Sequence, residues 1–223
     1  LTDMTQPAAA ASTDAVVVPK APPKQARAQQ TREHLLDVAG ELLAEIGMER
    51  ISTNLICNRA GVTPPALYRY FEDKYAVIEA LGRRLMDRQN EVLVAWMDRY
   101  LPQGIDAVNA NIEELLRETA RVTESEPGGV WIERALHATP KLAHVRIESH
   151  RYVTDRQVEA YAPFFPHIPR HVLWRRIRMA VEFGYVTDEM LSEEDSISRD
   201  DVFAEAARML RLVLHGEDKG GSE

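Results

Sequence analysis

Between Thr63 and Lys74 the chain reads Thr-Pro-Pro-Ala-Leu-Tyr-Arg-Tyr-Phe-Glu-Asp-Lys, which puts a hydroxyl, two phenols, a guanidinium and an ammonium on one short stretch. All are hydrogen-bond donors or cations, the groups that hold phosphate oxygens, and they suit binding to a nucleic-acid backbone better than catalysis. Elsewhere the sequence has no glycine-rich phosphate loop, no Gly-x-Ser-x-Gly nucleophile and no carboxylates clustered with a partner. An enzyme is therefore not expected.

Two short helices must position this stretch, within residues 52–71. Ser52 can cap the first, and Leu55, Ile56 and Cys57 give it an apolar side. Gly61 supplies the left-handed backbone that stops it. Thr63 is the next cap, with Pro64 at the first helical position, where a missing N–H costs nothing. Pro65 removes a second N–H, so the Thr63 hydroxyl is expected to reach Ala66. Leu67 and Phe71, four apart, bury one side; Pro64, Pro65, Ala66 and Tyr68 occupy the other, flanked by Arg69 and Tyr70, with Lys74 just beyond. An αα-hairpin that never meets DNA has the same spacing.

Residues 29–89 resemble the amino-terminal domain of the TetR family of bacterial transcriptional regulators. The likeness is carried by Thr31-Arg32 and the run to Ala39, Gly47, Ile56-Cys57, Ala60-Gly61-Val62-Thr63, Leu67-Tyr68, Tyr70-Phe71 and Asp73-Lys74. It implies an all-α protein: an N-terminal three-helix helix-turn-helix DNA-binding domain over residues 29–89, then a larger helical ligand-binding and dimerisation domain over residues 90–216. It also implies a homodimeric repressor that leaves a near-palindromic double-stranded operator when a small apolar or aromatic effector binds. The alternative is an all-helical small-molecule binding protein or enzyme whose hairpin is structural.

On the resemblance, Thr31 or Arg32 contacts phosphate from the first helix. Thr53, Thr63, Tyr68, Tyr70 and Lys74 are assigned to phosphates. Pro64, Pro65 and Ala66 can offer only apolar contact to thymine methyls. Asn54 reads a base or is a solvated helix residue, and Arg69 bonds guanine or a phosphate.

The rest of the chain reads as helices. Leu35, Leu36, Ala39, Leu42, Leu43 and Ile46 recur at threes and fours over residues 31–46, and Gly47 ends that helix. An amphipathic stretch from Asp73 to about Tyr100 bridges the two domains, and helical periods continue over residues 105–123, 130–138, 140–164, 169–191 and 200–215. Aromatic residues spread over these helices could line a cavity: Trp96, Trp131, Tyr152, Trp174 and Phe183 are the effector candidates, with Arg134 and His137 as polar anchors. Core packing explains such residues equally well. Leu173, Ile177, Ala180, Val181 and Gly184 repeat on one late helix, and Phe203, Ala206, Leu210, Val213 and Leu214 on the last. Both stripes suit a two-fold four-helix dimer seam or an ordinary core.

Composition sets the remaining bounds. The net charge is −8, yet residues 24–75 hold seven cations and seven acids, so the acid excess lies elsewhere. The single cysteine, Cys57, excludes an internal disulfide and is expected to be a buried small apolar group. His137, His144, His150, His167 and His171 lack supporting thiols; Pro169 interrupts the one i, i+4 pair, and no metal or cofactor is expected. Residues 1–28, rich in proline and alanine, are expected to be a disordered leader whose Lys20, Lys24 and Arg27 could touch DNA; residues 217–223 are an expected disordered tail. No membrane partner is expected because no apolar run is long enough to span a bilayer, and no secretory signal is evident, so a cytoplasmic location is expected.

Overall fold

A computed structural model describes residues 24–194 and 196–215. Most of the expected leader, including Lys20, and the expected tail lie outside these residues, as do the side chains of Lys24 and Leu214. The described residues form helices and the turns that join them, with no strand among them. No helix among them is long and apolar enough to cross a membrane.

Helix α1 spans Lys24–Arg50 and starts seven residues earlier than its apolar period predicts. Residues 24–28, expected in the leader, are helical. Lys, Gln, Ala and Arg are strong helix formers, and this segment needs no buried face to signal it. The Thr31 hydroxyl donates to the Arg27 carbonyl at 2.9 Å, and Gln29 donates to Glu33 at 2.6 Å. Gly47, at φ 75°, breaks the helix where expected, and a turn carries the chain to Arg50.

Next come α2 (Thr53–Ala60) and α3 (Pro64–Tyr68), followed by α4 (Lys74–Tyr100). The Asp73 carboxylate caps α4 by accepting from the Ala76 N–H at 2.8 Å. At 1.5 Å per residue α4 is about 40 Å long. Leu81, Leu85 and Met86 join one apolar cluster near its start, and Leu93, Trp96 and Met97 join a second further on.

The expected helix over residues 105–123 is broken into α5 (Ile105–Ala110) and α6 (Ile112–Ser125). Asn111 leaves helical geometry: its amide donates to the Ala107 carbonyl at 2.8 Å, and its own carbonyl accepts the Trp96 indole N–H at 3.0 Å. The remaining helices are α7 (Gly129–Ala138), α8 (Ala143–Tyr161), α9 (Arg170–Leu191) and α10 (Arg199–His215).

The first cluster is not confined to α1–α4. Ile132, Ala135 and Leu136 from α7, with Val145 from α8, complete it. Where α1 meets the α6–α7 turn, Gly40 and Gly128 touch through backbone: a Cβ on Gly128 would lie 2.2 Å from the Gly40 oxygen, and Gly128 has φ 71°. Beside this contact the Glu126 carboxylate, fully buried, meets Arg84 at 2.6 Å and also pairs with Arg88. Arg84 in turn reaches Asp37 of α1 at 2.9 Å.

Candidate functional site

The α2–turn–α3 unit follows from its caps. Ser52 Oγ accepts from the Leu55 N–H at 3.3 Å, and Gly61, at φ 66°, ends α2 with its N–H bonded to the Cys57 carbonyl. Ile56, Cys57, Leu67 and Phe71 are buried beneath, and burial pushes the Cys57 thiol up, as for an inert small apolar group. One expectation fails: the Thr63 hydroxyl makes no capping bond. With Pro64 and Pro65 lacking N–H groups, Ala66 is the first donor of α3, and it bonds the Thr63 carbonyl at 2.9 Å instead.

The outer face of this unit presents Asn54, Thr63, Pro64, Pro65, Tyr68 and Arg69, all exposed. Only Leu67 of α3 is buried, so the helix shows nearly its whole surface to solvent. The Tyr68 phenol and the Thr53 hydroxyl lie 3.2 Å apart and tie α3 to α2 across the turn. Ala66 is half-buried. Other expected phosphate contacts have partners within the chain. Lys74 donates to the Met48 carbonyl at 3.1 Å, Tyr70 packs against the Phe71 ring, and Arg32 sits over that ring 5.6 Å from its centre while pairing with Glu33.

A cavity of about 140 Å³ lies in the second cluster, lined by α4, α5, α6, α8, α9 and α10. Its wall is mostly apolar, with Gln89, Asn90, Asn109, Gln157, Asp188 and the phenols of Tyr161 and Tyr185 as polar points. Of the aromatic candidates, Trp96 lines it. Arg134 and His137 border a separate space of about 10 Å³, and Tyr152 lines an open groove between α4 and α8. Trp131 and Phe183 are exposed, the former beneath the Arg134 guanidinium. Trp174 donates its indole N–H to Asp155 at 2.7 Å, which fastens α9 to α8.

The small-residue stripes fall differently from their reading as a dimer seam. Ile177, Ala180, Val181 and Gly184 of α9, with Phe203, Leu210 and Val213 of α10, line the cavity; Leu173 and Ala206 are buried inside the subunit. Each helix has a second apolar stripe facing out: Met179, Phe183, Val186 and Met190 on α9, and Met209 and Leu212 on α10. Periodicity finds both stripes and cannot tell which faces in.

Sequence reading missed the polar end of the cavity. Gln89 accepts from the Tyr185 hydroxyl at 3.2 Å and donates to Glu133 at 2.8 Å and to Thr123 at 2.9 Å. Burial pushes Glu133 up to about 7, with the nearby Asp188 charge adding to the effect and the Gln89 and Thr123 bonds opposing it. The signal was present: Gln89 falls in register with Leu85, Leu93 and Trp96, a polar residue on a buried stripe. Next to this network His150, fully buried and stacked on Tyr185 with ring centres 4.0 Å apart, is pulled down to about 4 by burial against the contrary pull of Glu182.

An exposed short helix set at a glycine turn, on an all-helical body with an interior cavity, has the form of a helix-turn-helix DNA-binding regulator. Residues 35–81 match the family model described as bacterial regulatory proteins, tetR family. Over 192 residues the chain is 23% identical to the HTH-type transcriptional regulator UidR of Escherichia coli strain K12, covering 83% of this chain and 93% of that protein. It is 40% identical over 55 residues, 25% of each chain, to the tetracycline repressor protein class C of Escherichia coli. Among solved structures, a TetR-family transcriptional regulator from Streptomyces coelicolor superposes with a TM-score of 0.60 at 23% identity, over 83% of this chain and 98% of its own. The chain is thus similar to TetR-family transcriptional regulators through its DNA-binding domain, at residues 35–81, and shares their fold over most of its length.

Proposed function

We propose that the chain is a homodimeric, cytoplasmic repressor that binds a near-palindromic operator and is released by a small effector. Residues up to 89 form the reading head, and residues from 90 onward hold the effector and the twin subunit. The observation that carries this reading is the exposure of α3: five residues with one buried, held at a fixed angle by Gly61 and the Thr53–Tyr68 contact. Such a helix fits a major groove, and two copies must sit about 34–36 Å apart to meet successive grooves. Exposed Arg69 and Tyr68 are best placed for phosphates, and Pro64 and Pro65 for thymine methyls. Thr31, Arg32, Tyr70 and Lys74 act chiefly by holding the head together.

Arg69→Ala is expected to weaken binding to DNA from upstream of its own gene across sequence variants, and to lower the slope of log affinity against log salt by about one. Fluorescence anisotropy between low and moderate salt reads both. An unchanged slope removes Arg69 from the phosphate contacts, and a wild type that binds no such fragment at low salt removes the operator reading.

The twin subunit is assigned to the outward stripes of α9 and α10, where Met179, Phe183, Val186 and Met190 recur at helical spacing on the one and Met209 and Leu212 on the other, all exposed. Val186→Glu, placing a charge within the α9 stripe, is expected to convert the dimer to monomer in sedimentation equilibrium and to weaken operator binding in parallel. A wild type that sediments as a monomer rejects the assignment. The effector is assigned to the cavity, where a ligand that prefers one head spacing shifts the population toward it.

A further inference from the structure

The cavity wall is apolar over most of its area, yet its few ionisable groups are all acids. Among the described residues that line it, Asp188 is the sole carboxylate, and no lysine, arginine or histidine reaches the space. Tyr161 and Tyr185 remain neutral phenols there, because burial pushes both up.

Glu133 of α7 stands close enough to Asp188 for the two charges to repel, and donors are scarce around the pair. Gln89 gives one N–H to Glu133. The Thr123 hydroxyl has a single proton, and both carboxylates draw on it. Arg199 offsets Asp188 from outside the lining, but its guanidinium is paired with Glu124. A largely apolar space thus carries the Asp188 carboxylate in its wall, with the Glu133 carboxylate near it and no positive charge among the lining residues.

The chemistry of a fitting occupant follows. An anion would meet repulsion and find no counter-charge in the wall. A hydrocarbon would cover the Asp188 carboxylate and shut it off from water without bonding it. A protonated amine brings a charge and N–H donors to Asp188 and an apolar body to the rest of the wall.

We infer that the cavity binds a small organic cation, a protonated amine carrying a single ring or short chain, with its ammonium at Asp188 and its body against Leu93, Ile112, Val153 and Ile177. The inference rests on the cavity being the effector site. Its size fits, since an apolar cavity on the order of 150 Å³ holds a benzene molecule.

Isothermal titration calorimetry of the full chain at pH 8 with three probes of one shape tests this: 2-phenylethylammonium, propylbenzene and 3-phenylpropionate. The ammonium is expected to bind at least about tenfold tighter than either other probe. Asp188→Asn is expected to remove about tenfold or more of the ammonium affinity and leave propylbenzene unchanged. Propylbenzene or 3-phenylpropionate binding as tightly as the ammonium overturns the cation class and leaves the cavity reading standing. Binding of no probe, or binding that survives Ala180→Phe, which fills the space, overturns the cavity reading with it. A cation preference that survives Asp188→Asn overturns the seat at Asp188. The wild-type ranking requires no variant, so the class is decided even where Asp188→Asn fails to fold.

Discussion

Gly128→Ala is expected to destabilise the protein by about 3–4 kcal/mol, on the scale of the severest single substitutions. Two separate costs combine. The residue sits at φ 71°, where any Cβ costs on the order of 1 kcal/mol. The larger cost is space: the new carbon would lie 2.2 Å from the Gly40 oxygen and 2.8 Å from its carbonyl carbon, and these are backbone atoms of α1 that cannot rotate away. Gly61→Ala is the control. Its φ of 66° is nearly the same, but nothing lies within 4 Å of the added carbon, so a loss of only about 1 kcal/mol is expected. Urea denaturation of the two variants gives the difference directly. Equal losses would show that α1 and the α6–α7 turn do not touch as described.

Glu133→Gln is expected to raise stability above pH 7 by about 3 kcal/mol relative to the parent, and to leave it little changed near pH 4. In the native chain burial holds the carboxyl protonated up to about 7, against an ordinary value of 4.5. Between those two values the unfolded chain has lost the proton while the folded chain keeps it, so stability falls as pH rises through the window and levels off above it. A shift of roughly 2.5 units at about 1.4 kcal/mol each sets the size. The groups facing Glu133 are Gln89 on α4, Thr123 on α6, and Asp188 and Glu189 on α9, with the Tyr185 phenol close by and Arg134 next to it on α7; glutamine can accept the same two hydrogen bonds. His150 works in the other direction. Held neutral down to about 4, it withdraws stability as pH falls from 6.5, and both proteins share this loss, so the comparison cancels it. Thermal melts from pH 4 to 8 suffice; parallel curves would mean that Glu133 ionises normally.

How far these features could be read from sequence depends on whether they are local. Ser52, Gly61 and Asp73 act on backbone within three or four residues of themselves, so the reading unit was legible down to the residue that stops α2. The start of α1 was not, because residues 24–30 are good helix formers with no apolar stripe to announce them. Asn111 broke a helix whose period ran on unbroken; its carbonyl there also takes the indole N–H of Trp96, fifteen positions away, a contact that no local period announces. The faces of α9 and α10 stayed undecided in the sequence for a related reason. Both carry apolar residues on two sides, and the neighbours α4, α6 and α8 decide which side is interior. The Thr63 cap failed on a purely local count, because a backbone acceptor lay nearer to the Ala66 N–H than the hydroxyl did.

The helices proposed to grip DNA do not close their own interior, since Ile132, Leu136 and Val145 from the later part of the chain supply one wall of it. Cut free after α4, the first four helices would bare that wall to water. The reading head is therefore no portable cassette: transplanting its specificity onto another regulator means carrying α7 and the beginning of α8 along, or rebuilding an oily surface that they now cover.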